Sequence, residues 1–235
     1  MQRYFLDYEI QTHEIELDET MMHHLNRVLR LQQPTEIIVV DSKSRVFEVK
    51  VEPLEKKGQI INEILQKEDS SIPITLAVAL LKKDKFEWVI QKACELGATA
   101  IIPFTSERTI IDLSVSEFEK KRARYQVIAK EACEQSHRKS LCHIHPLSSF
   151  KDLKKFEASF KGLCYENILG ESVTLKACIN QSTLIVIGPE GGFSSTEVKW
   201  AKEHDFKLVT LGHKILRAET AAIASLAMIE AYHDQ

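Results

Sequence analysis

Residues 183–197 read TLIVIGPEGGFSSTE. Thr183 to Ile187 form a short apolar run, the length and composition of a buried strand. Gly188 and Pro189 end it. Ser194 with Glu197 three residues on makes a capping box, the signature of a helix start. Strand, glycine-rich turn and helix together are one unit of an α/β sheet, and the unit recurs outward in both directions. ITLAVALL (74–81) precedes helical spacing at Phe86, Val89, Ile90, Ala93 and Cys94. A box at Asp84 and Glu87 opens that helix, and Gly97 closes it as a C′ glycine. TAIIPF (99–104) is the next strand, and a box at Ser116 and Glu119 starts a long helix running to about Gln135. LCHIH (141–145), GLCYE (162–166) and FKLVTL (206–211) read as further strands, with a last helix after Arg217. The alternation predicts an α/β domain with a mostly parallel sheet covered by helices.

The first 70 residues read differently. TEIIVVD (35–41), RVFEVKVE (45–52) and QIINEIL (59–65) are short β-branched runs separated by the turns DSKS and PLEKKG, which suggests a small barrel or sandwich. A helical stretch, DETMMHHLNRVLRLQ (18–32), precedes them. The polar segment Gln66–Pro73 reads as a linker between domains at 1–70 and 73–235. The 31 basic and 34 acidic residues leave a charge of −3, not the balance of a protein that coats nucleic acid, so an RNA role must rest on local clusters. No run approaches the ~20 apolar residues of a membrane span. No basic-then-apolar leader is visible either, so a cytoplasmic protein is expected. Five cysteines, an odd number without a CxxC pair, argue against a zinc ribbon or a disulfide framework. In LCHIHP, alternation turns Cys142 away from His143 and His145, so no metal site is expected there.

Ligands of open α/β sheets bind beyond the carboxyl ends of the strands. Two loops fall there: GPEGGFSSTE (188–197) and, after FKLVTL, GHKILRAET (212–220). Gly188, Gly191 and Gly192 permit close backbone approach, and exposed N–H groups beside a helix start can take an anion, an adenine edge or a carboxylate. A nucleoside-triphosphate loop of the GxxxxGK[ST] form is absent, as is a dinucleotide GxGxxG. Leu211, Ile215 and Leu216 offer apolar faces for a flat ring, and Gly212 lets the backbone meet it.

Taken together, GPEGGFSSTE and LGHKILRAETAAIAS (211–225) resemble the signature of the SPOUT methyltransferases, and most closely the bacterial family that methylates N3 of a uridine in 16S ribosomal RNA, the RsmE family. MQRYF, HHLNRVLRLQ (23–32), QKACELGA (91–98), SERTI (106–110), EACEQSHR (131–138) and LCYE (163–166) match that family in order and spacing, so the resemblance covers essentially the whole chain. It implies a deep trefoil knot in the C-terminal domain, a PUA-like RNA-gripping N-terminal domain, and a homodimer with the knot helices at its interface. It implies S-adenosylmethionine bound, bent, in the knot. The cofactor would meet Leu211, Gly212, Ile215, Leu216, Arg217 and Ala221 on one side. Gly188, Pro189, Glu190, Gly191 and Gly192 would line the other, with Tyr165 and Glu166 nearby. The slim positions of the last helix (Ala218, Ala221, Ala222, Ala224, Ser225, Ala227) suit close packing in a knot or dimer, or simply helix propensity.

For such a reaction, uracil N3 must lose its proton, and a cation near O2 or O4 would stabilise the developing charge. Arg217 is the first candidate and Arg138 the second. Glu219 could orient Arg217, accept the proton, or act only as a helix-start carboxylate. His137 is of a residue type that can serve as a base but reads as a surface helix end, where the family often has a small residue. Candidate phosphate contacts to 16S rRNA or the assembled small subunit form two groups. Arg3, His24, Arg27 and Arg30, with His23, lie in the first domain. The second domain carries Lys82, Lys83 and Lys85, with Arg108, Arg122, Arg124, Arg138 and Lys139. The alternatives are a SPOUT methyltransferase acting on another RNA site and a non-catalytic RNA-binding ribosome-assembly factor. Intact cofactor loops argue against the latter.

Overall fold

A computed structural model of the protein describes residues 1–65, 72–166 and 172–233; the side chain of Lys83 and most of the expected linker Gln66–Pro73 lie outside the described residues. The chain divides into two compact units, Met1–Ser70 with Cys133–Leu141, and Ser71–Ala132 with Cys142–Gln235.

The first unit holds β1 (Arg3–Phe5), β2 (Glu14–Glu16), α1 (Glu19–His23), β3 (Thr35–Val40), β4 (Val46–Val51) and β5 (Lys57–Ile64). These make one five-stranded sheet in the order β1-β3-β4-β5-β2, with β1 parallel to β3 and the other pairs antiparallel. β1 and β2 end the pairing order among the described residues. The three β-rich runs read from the sequence are β3, β4 and β5. The edge strands are three residues each, too short to carry a period. Ile15, Met21, Leu25, Ile37, Val39 and Phe47 fill the core of this unit. The expected helix at 18–32 is split. Asp18 caps α1 by accepting from the Met21 N–H at 2.7 Å, and a single π turn then spans His24–Val28. Segment 133–141 covers the open edge of β1. Glu134 Oε1 accepts from the Phe5 N–H at 3.1 Å, and Arg3 Nη1 donates to the carbonyls of His137 and Arg138 at 2.7 Å each. Capping an edge in this way removes a template for aggregation.

The second unit holds β6 (Ile74–Ala79), α2 (Lys83–Glu95), β7 (Ala100–Thr105), most of α3 (Val115–Gln135), β8 (His143–Ile144), β9 (Ser148–Ser149), β10 (Phe160–Cys164), β11 (Thr183–Ile187), α4 (Ser195–Glu203), β12 (Lys207–Val209) and α5 (Ala218–His233). Its strands run β12-β10-β11-β6-β7-β8, all parallel, with β9 also on β7. The parallel α/β expectation holds. Two of the three capping assignments do not. Lys82, not Asp84, occupies the N-cap of α2 and makes no side-chain cap, leaving Asp84 in the first turn. The α3 box is Ser114 with Glu117, two residues earlier than expected: the Ser114 N–H donates to Glu117 Oε2 at 3.0 Å, and the Glu117 N–H to Ser114 Oγ at 3.3 Å. The stretch SVSEFE (114–119) offers two boxes, and the loop entering the helix selects the first. The Ser194–Glu197 box and the left-handed Gly97 (φ +85°) are as expected. Among the described residues, no helix is long and apolar enough to cross a membrane.

Register fixes where the loops emerge. Cys164 pairs with Val209, Leu163 with Val186, and Ile187 with Val78. The carboxyl ends of β12, β10, β11 and β6 therefore form one row. Beneath one face of that row lies an aromatic layer: Phe193 is parallel to Phe104 (6.5 Å between centroids, 2° between planes) and 5.5 Å from Phe150. α5 packs on α2 and on β11 and β6.

Candidate active site

At this row of strand ends lies a cavity of about 370 Å³, within the ~300–1,000 Å³ range of small-molecule sites. A second cavity of about 60 Å³ abuts it, sharing Cys164, Glu166, Leu216 and Ala221. Four loops build the walls. Glu166 follows β10, and Gly188, Pro189, Glu190 and Gly192 follow β11. Ile215, Leu216 and Arg217 precede α5, and Lys85 comes from the first turn of α2. The smaller cavity is lined by Tyr165, Thr210, Leu211, Gly212 and Lys214.

The loops are held by short-range bonds. The Gly192 N–H donates to the Pro189 carbonyl at 2.9 Å, closing the glycine-rich turn. A Cβ on Gly188 would come within 2.9 Å of the Phe193 ring, so only glycine fits against that buried side chain. Gly212 has φ +117° with nothing within 4 Å of where a Cβ would project, and its N–H is held by Thr210 Oγ1 at 3.2 Å. A left-handed glycine facing open space at the rim of a cavity is a cradle for a flat group.

Twelve of the thirteen positions expected to meet the cofactor line one cavity or the other; Gly191 lines neither. Gly191 instead turns outward, where its carbonyl accepts from Arg108 Nη1 at 3.1 Å. Ile215, expected to flank a ring, is 82% exposed on the cavity rim. Arg217 lines the larger cavity, and its side chain has no hydrogen bond or ion pair among the described residues. Glu219 lines neither cavity. Its Oε1 lies 2.9 Å from Lys85 Nζ, and its Oε2 is buried without a partner among the described residues. Burial opposes ionisation of Glu219. The hydrogen bond from Lys85, its own backbone N–H and the charges of Lys85 and Arg217 outweigh that and hold the carboxyl below its usual range.

Four features were missed or misassigned. Lys85 is not a free surface cation but a wall residue between Glu219 and Glu190, whose Oε1 is 3.9 Å away. Its place one turn beyond β6, at a carboxyl end, was the available signal. Glu197 does more than cap its own helix. It is 4% exposed, and while Oε2 accepts from the Ser194 N–H, Oε1 accepts from the Glu107 N–H at 3.0 Å, tying loop 106–109 to the glycine-rich turn. Phe193 and Cys164 also line the pocket, and burial pushes the Cys164 thiol well up, out of the reactive range.

Among the cations expected to touch RNA, Arg27 and Arg30 are exposed and without ion-pair partners among the described residues, and Lys82 is exposed. His24 Nδ1 lies 2.8 Å from the Tyr4 hydroxyl. Arg3 is spent on the carbonyls of 137 and 138, Arg124 pairs with Glu87 at 2.9 Å, and Arg122 with Glu119 at 2.7 Å. Arg138 belongs to the first unit.

A family model described as an RNA methyltransferase domain matches residues 68–230, the span that contains every wall of the two cavities. The chain belongs to this RNA methyltransferase family. Within it, the chain is 35% identical to ribosomal RNA small subunit methyltransferase E of Bacillus subtilis, covering 97% of this chain and 96% of that protein. It is 34% identical to the protein of the same name from Mesomycoplasma hyopneumoniae, covering 95% and 96%. The crystal structure of a ribosomal RNA small subunit methyltransferase E from Neisseria gonorrhoeae, bound to S-adenosyl methionine, superposes with a TM-score of 0.85 at 30% identity, covering 98% of this chain and 97% of that one.

Proposed function

We propose that this RNA methyltransferase transfers a methyl group from S-adenosylmethionine to N3 of a uridine in 16S ribosomal RNA of the small ribosomal subunit. The observation that carries the reading is the pair of abutting cavities at the carboxyl ends of β10, β11 and β12, bounded by the glycine-rich turn and the Gly212 loop. When bound, the cofactor supplies an electrophilic methyl on a sulfonium. Leu211, Gly212, Ile215 and Leu216 would meet its adenine, with Tyr165 and Glu166 nearby. Gly188, Pro189, Glu190 and Gly192 would line the same pocket. Gly191 serves from outside through Arg108. Arg217 offers its guanidinium to the uracil oxygen on which charge develops as N3 loses its proton. Arg138 is the second candidate for that role.

The finer fold reading is that β12, inserted beside β10 on the side away from β11, closes a trefoil knot. In this reading residues 73–235 form the catalytic domain and residues 1–70 a PUA-like domain that grips RNA. His24, Arg27 and Arg30 make phosphate contacts there, with Arg3 fixing the backbone at Arg138. Lys82, Lys83, Arg108 and Arg124 extend the contact surface on the catalytic domain. The slim face of α5 serves a homodimer, and the enzyme works in the cytoplasm on rRNA or the assembled subunit.

Calorimetric titration with S-adenosylmethionine tests the site. Saturable binding by the wild type, lost in Gly212→Trp, is expected. A folded wild type that binds none, or a Gly212→Trp variant that binds normally, overturns it.

A further inference from the structure

Lys85 and Glu219 stand 134 residues apart, and neither is among the residues that meet the cofactor in the reading above. Yet they form an ion pair of 2.9 Å at the wall of the larger cavity. Lys85 lines that cavity and is absent from the walls of the smaller one; Glu219 lines neither and sits behind it, its side chain only 13% exposed. Buried carboxylates are retained when something holds them, and here the something is a lysine that itself faces the pocket. An ammonium has three N–H donors. One is taken by Glu219, and Glu190 at 3.9 Å is beyond hydrogen-bond reach, so donors remain for an acceptor in the cavity.

Charge decides which acceptor. The charged side chains of the cavity wall and its backing, Lys85 and Arg217 against Glu166, Glu190 and Glu219, leave a net −1, so a full anion, such as the cofactor's carboxylate, is met by repulsion. A carbonyl oxygen that is neutral in the ground state, and takes on charge only as the ring loses a proton, can use the ammonium without that conflict. We propose that Lys85 donates to a carbonyl oxygen of the acceptor uracil, and that Glu219 is a positioning residue that acts through Lys85. The inference rests on the uridine reading above and adds a second cation beside Arg217.

The test uses full-length Lys85→Met, Glu219→Gln and the double variant, with Lys85→Arg and Glu219→Asp as conservative controls. Three quantities are read: S-adenosylmethionine Kd by calorimetry, the single-turnover methylation rate on small subunits at saturating cofactor, and Tm. Lys85→Met lowers the rate roughly 100-fold and Glu219→Gln about tenfold, with Kd within twofold of wild type. The double variant is no slower than Lys85→Met, because Glu219 has no route except through the lysine. Lys85→Arg and Glu219→Asp recover part of the rate. A tenfold or larger weakening of Kd with the saturated rate intact makes Lys85 a cofactor contact and overturns the inference. Fully additive losses overturn it too, making Glu219 an independent group such as the proton acceptor. Unchanged rates in both single variants do the same. If Lys85→Met fails to fold, Lys85→Arg set against Glu219→Gln and their double variant carries the same comparison. A wild type that methylates no uridine N3 sinks the uridine reading itself, a result separable from all of these.

Discussion

Gly188→Ala is the smallest change that tests whether the glycine-rich turn is built against the core. The added Cβ would stand 2.9 Å from Phe193 Cε2 and 3.1 Å from Cζ. Carbon atoms in good contact lie at about 3.5–4.0 Å, so the ring must retreat by roughly 0.6–1 Å. It has little room. Phe193 is 3% exposed, with Phe104 parallel to it at 6.5 Å and Phe150 at 5.5 Å. Overpacking of this kind costs about 1–3 kcal/mol. Two outlets exist for that strain. If the ring presses into the aromatic layer, Tm falls by roughly 2–4 °C per kcal/mol for a chain of this size. If it swings toward the larger cavity, which it lines, cofactor affinity falls instead, by roughly 5- to 150-fold for the whole cost. Differential scanning calorimetry and calorimetric titration with S-adenosylmethionine, run on the same preparation, read both. A variant whose Tm is within 1 °C of wild type, and whose Kd is also unchanged, would refute the reasoning, since the methyl group would then have been accommodated without displacing the ring.

Two further predictions concern the supports of the site. Glu197→Ala leaves the Ser194 and Glu107 N–H groups without their acceptor, at about 1–3 kcal/mol for the buried Ser194 donor and less for the part-buried Glu107 donor. Thermal melting should show the loss, and faster amide exchange at Glu107 should locate it; unaltered exchange there would contradict the tie between loop 106–109 and the glycine-rich turn. The pH dependence of stability should carry a contribution from His145. Burial, then the charges of His143 and Arg122, lower its pKa from the ordinary 6.5, so the unfolded chain binds the proton more readily. The stability it contributes is present above about pH 6.5 and is lost as pH falls through the folded value. Melting curves from pH 7.5 down to pH 5 should therefore fall less steeply for His145→Gln than for wild type, and an equal or steeper fall would reverse the sign of the argument.

Much of the fold was legible because its strands are short apolar runs with turn residues between them. ITLAVALL, TLIVIGP and FKLVTL each contain a strand of the parallel sheet, trimmed by two or three residues, and TAIIPF meets its strand shifted by one. What escaped is non-local. β1 and β2 are three residues long and exist only because β3 and β5 offer them a ladder, which no local period announces. Caps were ambiguous for a related reason: Ser114 and Ser116 both stand three residues before a glutamate, and the path of the preceding loop selects the first. At the site, glycines were readable because their chemistry is in the backbone. Gly188 and Gly212 mark a close approach and a left-handed turn whatever surrounds them. Lys85, Glu197 and Phe193 were not, because each acquires its role from a partner far along the chain: Glu219, Glu107 and Phe104. A sequence displays which residues can pair, and the sheet register decides which do.

The central claim is the transfer itself. Small ribosomal subunits lacking the modification are incubated with the purified protein and labelled S-adenosylmethionine, and the rRNA is digested and read by mass spectrometry. The account predicts one methyl per subunit, carried as N3-methyluridine at a single position of 16S rRNA. A methyl on another atom or another RNA, or none at all from protein that binds the cofactor, would contradict it.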